Sequence, residues 1–105
     1  MNSIKSQQIE TCLVAVSKYY DADPVKVLTS YCANGAATRQ ARGLLWYHMH
    51  DCGMSYHQIG RIFGNLSVDH VSKRAKEGKM RMNEETRLLV KTLPRIDTTL
   101  DLKEA

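Results

Sequence analysis

The sequence predicts an all-α fold, a compact bundle of about five to six helices that contains a helix-turn-helix. Apolar residues recur at intervals of three and four along most of the chain, which is the period of a helix with one buried face. No stretch alternates apolar and polar residues between turn clusters, as a half-buried strand would. A chain of 105 residues can bury one helical core. We therefore expect a helical domain over residues 1–94, with the helix-turn-helix at 55–77, and a flexible tail at 95–105.

Two helices are expected in the first third of the chain. The first runs from about Ser6 to Tyr20, where apolar residues keep the spacing of an amphipathic helix. The second begins after Asp23, which can cap it, and Pro24 lacks an amide hydrogen that the first helical position does not use. The residues expected to face the core are Ile9, Leu13, Val16 and Tyr20 in the first helix, and Val25, Leu28 and Cys32 in the second.

A long third helix is expected after a break at Asn34–Ala37, which we interpret as an exposed loop. Thr38 can cap this helix, and Gly53 lies where it should end. Trp46 falls off the apolar stripe, which indicates either partial burial against a neighbouring helix or a surface for a partner. The stripe is the most regular in the chain and consists of Ala41, Leu44, Leu45, Met49 and Cys52.

Residues 54–76 predict the helix-turn-helix. Ser55 followed three residues later by Gln58 is a capping-box pattern, so the first helix of the motif should begin at Tyr56. Gly64 can adopt the left-handed conformation that ends a helix. The side chains expected to face the core are Ile59, Ile62 and Phe63.

The second helix of the motif is expected to begin after the capping residue Ser67 and to end at Gly78. Its inward stripe would be Val68, Val71 and Ala75. A helix turns by about 100° per residue, so the opposite face is polar and can donate to phosphates and base edges. That face carries Asp69, His70, Lys73 and Lys76.

A last helix is expected over Glu84–Leu93. Asn83 can cap it, acidic residues stand in its first turn, where the helix dipole favours negative charge, and Pro94 ends it. From Arg95 onward no apolar period is sustained, so a frayed tail should follow. The side chains expected to close the bundle are Leu88, Leu89 and Leu93.

The charge of the chain indicates a polyanionic partner. The formal net charge is +4 and the pI is near 9.1. Between Arg61 and Arg81 six residues are basic and two are acidic, which concentrates positive charge on the second helix of the motif. No nucleophile with its base and no carboxylate pair is placed to converge, because Asp69 and His70 are adjacent on a helix and do not face each other. We expect neither enzymatic activity nor a cofactor.

The three cysteines are an odd number, and the N-terminus is polar without an apolar signal segment. These features predict a cytoplasmic protein with reduced thiols. His48 and Cys52 are spaced to share a metal, but no Cys-x-x-Cys pair accompanies them, so no metal site is expected. No run approaches the ~18 apolar residues of a membrane span, and no membrane contact is expected.

The helix-turn-helix resembles a known family. The pattern Ser-x-x-x-Ile-Gly-x-x-Phe-Gly that begins at Ser55 is similar to the C-terminal DNA-binding domain of the bacterial chromosomal replication initiator DnaA. The resemblance covers roughly residues 9–93. It implies a Trp-repressor-like helix-turn-helix that binds double-stranded DNA, in a small bacterial replication or transcription regulator that is associated with the nucleoid when bound. Since the chain does not include the initiator's much larger ATPase domain, we expect such a regulator to be encoded on a phage or another mobile element. No phosphate-binding Gly-x-x-x-x-Gly-Lys loop is present, so this chain does not encode the initiator's ATPase.

The resemblance also implies which residues contact DNA. Arg39, with Gln40 after it, matches the Arg-Gln that opens the family's long helix, so it is expected to reach toward the minor groove. The first turn and outer face of the second motif helix would enter the major groove. Not every expected contact rests on the resemblance, since Arg42 does not match the family's Arg-Gln and the Asp69–His70 pair is not the family's base-reading pair. The full set of expected DNA contacts is Arg39, Arg42, Ser55, Arg61, Asn65, Ser67, Asp69, His70, Lys73, Arg74 and Lys76.

One departure from the family changes the expected specificity. At the positions of residues 65–71, family members usually have the sequence Gly-Arg-Asp-His-Thr-Thr-Val. This chain has Leu66, Ser67 and Val68 in place of the family's Arg, Asp and His. The polar side chains that read bases in the family are therefore missing, and we expect no preference for the initiator's consensus box. Two alternatives stay open, a protein-interaction module that binds a replication or transcription protein, and a Trp-repressor-like transcriptional regulator. The sequence does not predict an oligomeric state.

Overall fold

Six α-helices make up the part of the chain that the structure describes. The computed structural model describes residues 3–29 and 35–97. The helices are α1 (Ser3–Tyr19), α2 (Pro24–Thr29), α3 (Ala36–Asp51), α4 (Tyr56–Ile62), α5 (Val68–Met80) and α6 (Glu84–Thr92). Within these two ranges there is no strand, which confirms the predicted all-α bundle. None of the helices described is long and apolar enough to cross a membrane.

Helix α3 is the centre of the core, and α1, α2, α4 and α5 pack around it. Its side chains are buried on nearly every side, including Trp46, which is fully buried. The Trp46 ring meets the edge of Phe63, with 5.3 Å between ring centroids, and lies 5.9 Å from the ring of His70. The interpretation of Trp46 as a partner surface is therefore wrong, because a helix covered by four neighbours buries more than one stripe.

Helices α3 and α5 cross at a contact between two glycines. A Cβ atom on Gly78 would collide with the backbone carbonyl of Gly43, and a Cβ atom on Gly43 would lie 3.0 Å from the carbonyl oxygen of Arg74. Gly78 was predicted to end α5, but the helix continues to Met80. The absent side chain serves close helix packing rather than termination.

The predicted helix starts at three positions are confirmed by capping hydrogen bonds. The Ser55 hydroxyl accepts from the Gln58 amide at 3.1 Å, and the Gln58 side chain accepts from the Ser55 amide at 2.9 Å. The Ser67 hydroxyl accepts from the amide of His70 at 3.1 Å. Asn83 accepts from the Thr86 amide at 2.8 Å. These bonds satisfy backbone amides that the first turn of a helix leaves without partners.

The start of α3 differs from the prediction. The helix begins at Ala36 with Gly35 at the N-cap, and Thr38 is a buried residue of its first turn. Alanine is the strongest helix former, so two consecutive alanines extend the helix into the expected loop. The predicted end of the second helix at Cys32, and Asn34 of the loop, lie outside the described residues.

Four apolar residues that were predicted to face the core are exposed instead: Val25, Ile62, Val68 and Leu88. Each helix that carries one buries other residues, such as the fully buried Val27 in α2 and Thr86 in α6. A short helix can have several faces of similar hydrophobicity, so its sequence alone does not decide which face is buried. Contact with α3 or with the helices around it decides which face turns inward.

The packed part of the chain extends past the predicted boundary at Pro94. Ile96 is only 2% exposed, and its amide donates to the Cys52 Sγ atom at 3.4 Å. The Asp97 amide donates to the Gln8 Oε1 atom at 2.7 Å. The prediction of a flexible tail is therefore wrong for residues 95–97. Ile96 fills the core although the residues around it show no apolar period. Residues 98–105 lie outside the described part.

Candidate nucleic-acid interface

The turn between α4 and α5 is fixed by close backbone packing. The Leu66 amide donates to the Gly60 carbonyl at 3.0 Å, and a Cβ atom on Gly60 would collide with the carbonyl oxygen of Leu66. Gly64 and Asn65 take left-handed conformations, with φ of 97° and 61°. Asparagine is one of the few other residues that adopt this conformation readily. Together these features set the angle between the two helices.

The inner sides of α4 and α5 are anchored in the core. Ile59 and Val71 are fully buried, and Phe63 and Ala75 are nearly so. The Phe63 ring packs against Trp46 of α3. Since these contacts hold both helices against α3, the outward face of α5 has a defined orientation.

The outward face of α5 carries exposed charged side chains. Asp69, Lys73 and Lys76 are all exposed and lie at helical spacing on one face. Neither lysine forms an ion pair with any residue that the structure describes, and the same holds for the exposed Arg61 of α4. Among the predicted contact residues, these four meet the requirement of accessibility without a competing ion pair.

The predicted turn and cap residues are also accessible. Ser55, Asn65 and Ser67 are exposed, and they precede or connect the two helices of the motif. The hydroxyls of Ser55 and Ser67 already accept capping bonds from Gln58 and His70. Each hydroxyl keeps its own hydrogen, so it still has a donor to offer a phosphate or a base.

His70 is partly withdrawn from the outward face. It is half-buried, with its ring beside Trp46. Burial lowers the pKa of His70 below its ordinary value of 6.5, and the nearby positive charges of Arg74, Arg42 and Lys73 add to the effect. The imidazole is therefore neutral near pH 7, so it offers a partner a polar ring rather than a charge.

Glu77 holds two of the predicted DNA contacts. Its carboxylate pairs with the guanidinium of Arg39 at 3.1 Å and with that of Arg74 at 2.6 Å. The hydrogen bond from Arg39 has the larger effect and the one from Arg74 the smaller. Together they hold the pKa of the Glu77 carboxyl below its usual range. The Arg39 side chain stays about half exposed, whereas that of Arg74 is 13% exposed. Arg39 can therefore reach a partner after leaving Glu77, whereas Arg74 is mostly buried and held by Glu77 of its own helix.

Arg39 and Glu77 also lie at the edge of an open cavity of about 510 Å³. The ends of α1 and α5 and the starts of α3 and α6 line it, with Tyr19, Arg81 and Asn83 among the polar residues. The Tyr19 hydroxyl is hydrogen-bonded to the carboxylate of Glu85, and this bond raises the pKa of Tyr19 to about 12.

Arg42 is not a surface residue. It is fully buried, its Nε atom donates to the Val27 carbonyl at 2.8 Å, and its guanidinium lies 5.4 Å from the centre of the Trp46 ring. The predicted DNA contact by Arg42 is wrong in this conformation. The guanidinium joins the end of α2 to α3, and the sequence gives no sign of this because arginines are usually exposed.

Val68 lies on the surface of the candidate interface, although the sequence predicts it in the core. It was assigned to the core, but it is 45% exposed at the first position of α5, next to the capping Ser67. The inward stripe of this helix consists of the buried Val71 and Ala75 and of Gly78, which packs against Gly43, with spacings of four and three. That alternative stripe is the signal in the sequence that could have placed Val68 outside.

His48 and Cys52 lie close together, with 3.7 Å between Nε2 and Sγ. The His48 Nε2–H group donates to the Pro94 carbonyl at 2.9 Å. In the part of the chain that the structure describes, no third His, Cys, Asp or Glu joins them in a group that could hold a metal ion. Their contacts hold the segment after α6.

Comparison of the chain with protein-family models, with curated proteins and with solved structures gives no match.

Proposed function

We propose that the chain binds duplex DNA through its helix-turn-helix, with the outward face and leading end of α5 in the major groove. One observation carries the proposal: Lys73 and Lys76 stand exposed, without an ion pair to any described residue, on a helix whose inner face is locked into the core. The second helix of a helix-turn-helix is the element that enters a groove.

The charges fit a polyanion better than a second protein. A lysine that forms no ion pair with a described residue can neutralise a phosphate and release its condensed counterion. This release favours binding. Asp69 is the exception on this face, and a carboxylate there is suited to accept from a base amine rather than to meet a phosphate.

The resemblance to the DnaA DNA-binding domain supports the same function. The residues of the shared pattern all have structural roles here, since Ser55 caps α4, Gly60 permits the close turn and Phe63 packs on Trp46. A shared scaffold is what such a pattern conveys. The proposed role is a small replication or transcription regulator that binds duplex DNA without the initiator's preference for its consensus box.

The proposal is tested by the salt dependence of binding to a generic duplex. For the wild-type chain, affinity should fall steeply between 50 and 200 mM salt, by about 10³-fold or more if several phosphates are contacted. The double variant Lys73→Ala/Lys76→Ala should bind more weakly, and its salt slope should be shallower by about two units, one for each lost contact.

A matched control removes the same charge elsewhere. Lys18 of α1 and Lys91 of α6 are exposed, and the variant Lys18→Ala/Lys91→Ala loses two positive charges outside the motif. It should keep the wild-type slope. Equal effects of the two double variants would mean that net charge alone matters and would reject α5 as the contact surface. Binding that does not respond to salt would reject phosphate contact altogether.

A further inference from the structure

The leading end of α5 presents an apolar side chain, Val68, between the exposed polar residues Ser67 and Asp69. Val68 is 45% exposed and follows Ser67 directly. A valine that is about half exposed forgoes part of the stabilisation that burial of an aliphatic side chain provides. The core contacts of α5 are made by Val71 and Ala75, so Val68 is not needed for packing.

The surroundings of Val68 point to one kind of partner. Exposed cations without ion pairs to described residues stand on both helices of the motif, namely Arg61, Lys73 and Lys76. An apolar groove on a protein would leave these charges unmatched, whereas a duplex pairs them with phosphates on either side of the groove. The exposed Asp69 beside Val68 disfavours a phosphate at this end of the helix, so the end should face base edges.

A valine side chain can recognise only one feature of the major groove. Every other group on the base edges there is a hydrogen-bond donor or acceptor, and thymine alone adds an apolar 5-methyl group. We infer that Val68 is a specificity-determining residue that contacts the 5-methyl group of thymine. The chain then prefers duplexes that carry a methyl group at this position. This inference rests on the proposed DNA binding and adds the base that the leading end of α5 selects.

The expected size of the effect follows from the area of one methyl group. Removing a buried methyl or methylene group costs roughly 0.8 kcal/mol, which is about a fourfold change in affinity at 25 °C. Loss of a single methyl contact should therefore weaken binding by about fourfold and leave the electrostatic part unchanged.

Alternating polymers test the contact without knowledge of the target sequence. The full chain is titrated with duplex poly(dA-dT) and with poly(dA-dU), which lacks only the 5-methyl groups, at about 50 mM salt. The wild type should bind the thymine polymer about fourfold more tightly. The same measurement with alternating G·C duplexes should show tighter binding when the cytosines carry a 5-methyl group.

Two variants assign the preference to Val68. Val68→Ser removes the apolar contact at an exposed position and should bring the thymine-to-uracil ratio close to one. Val25→Ser makes the same change at an exposed valine of α2 and should keep the wild-type ratio. Circular dichroism and thermal unfolding of both variants verify that they fold.

The outcomes separate the inference from the proposed function. Salt-sensitive binding with equal affinity for both A-containing polymers overturns the role of Val68 and leaves DNA binding standing. A wild-type ratio that persists in Val68→Ser also overturns it, because another group then reads the methyl. No binding to any of the four duplexes at low salt rejects the proposed function and the inference with it.

Discussion

Glu77 decides which basic side chains near α5 can meet a partner. Its carboxylate holds Arg39 of α3 and Arg74 of its own helix, while Lys73 and Lys76 point away and stay without ion pairs among the described residues. The pair with the half-exposed Arg39 is solvated, and pairs of this kind contribute little to stability. In the proposed complex with DNA its effect falls on binding, because a phosphate would have to compete with Glu77 for Arg39.

Replacing Glu77 with glutamine should strengthen binding to generic duplex DNA. The substitution releases Arg39 and removes a negative charge beside the proposed interface, so the salt slope should become steeper by about one unit. The control Glu10→Gln makes the same charge change at an exposed position of α1. If both variants give the wild-type slope, Arg39 does not reach the duplex.

His70 should make the stability of the fold depend on pH between neutral and mildly acidic conditions. Its pKa is lowered by burial and by neighbouring cations, so the unfolded chain binds a proton more readily than the folded one. The neutral ring therefore contributes its stability at pH values above 6.5, the ordinary pKa of histidine. This contribution is lost as the pH falls below 6.5 toward the lower pKa of His70 in the folded state.

Denaturant unfolding at pH 7.5 and pH 5.5 measures this dependence. The wild type should have the lower free energy of unfolding at pH 5.5, and the drop should be smaller in His70→Gln, which cannot take up a proton. An identical drop in both proteins would show that His70 is not the group responsible. Glu77 does not confound the comparison, because its pKa is lowered from 4.5 and its contribution is lost only in more acidic solution.

At the scale of the helices, the sequence predicted what depends on local chemistry. The capping bonds of Ser55, Ser67 and Asn83 join residues three apart, so the chain's own order reveals them. The inward face of α5 was only partly predictable. By local rules alone, Val68 would be buried and Gly78 would end the helix. The contact of α5 with α3 instead leaves Val68 exposed and uses Gly78 for close packing.

The candidate site was predictable to the same extent. Arg39 and Arg42 are three residues apart in one helix, and no local pattern separates the half-exposed side chain from the fully buried one. What separates them is the Val27 carbonyl, which lies fifteen positions away in the sequence and accepts from Arg42. The outer face of α5 needed only the helical period, and Asp69, Lys73 and Lys76 are exposed as expected.

The crossing of α3 and α5 should tolerate no side chain at Gly78. A Cβ atom there meets the backbone of Gly43, which cannot move as a flexible side chain would. We expect Gly78→Ala to lower the free energy of unfolding by about 1–3 kcal/mol, the usual cost of overpacking. Gly35→Ala is the control, since a Cβ atom at Gly35 meets no atom of the described residues within 4 Å. Equal stability of the two variants by denaturant titration would contradict the close crossing.

At the scale of the whole molecule, the segment after α6 closes the core. Pro94 offers its carbonyl to His48 at 2.9 Å and to the Cys12 thiol at 3.5 Å. Burial, with a smaller effect from Cys52, raises the pKa of Cys12 to about 12, so this thiol stays protonated and can donate. These contacts join α1 and the C-terminal end of α3 to residues 94–97.

Ile96→Ala should therefore destabilise the whole fold. Truncation of a fully buried isoleucine costs about 2–5 kcal/mol, a large share of the ~5–15 kcal/mol that stabilises a typical domain. Leu88→Ala removes an exposed side chain from α6 and should change the free energy of unfolding by less than about 0.5 kcal/mol. A loss below about 1 kcal/mol for Ile96→Ala would mean that this segment does not pack in solution.

The central claim is that α5 meets duplex DNA with its outward face. Titration of isotope-labelled protein with a generic duplex, followed by amide chemical shifts, reports directly which residues the duplex contacts. We predict that the largest shifts fall on residues 65–76, with Arg39 and Arg61 affected and with α1 and α6 nearly unchanged. Shifts confined to α1, α2 or α6, or no shifts at low salt, would contradict the claim.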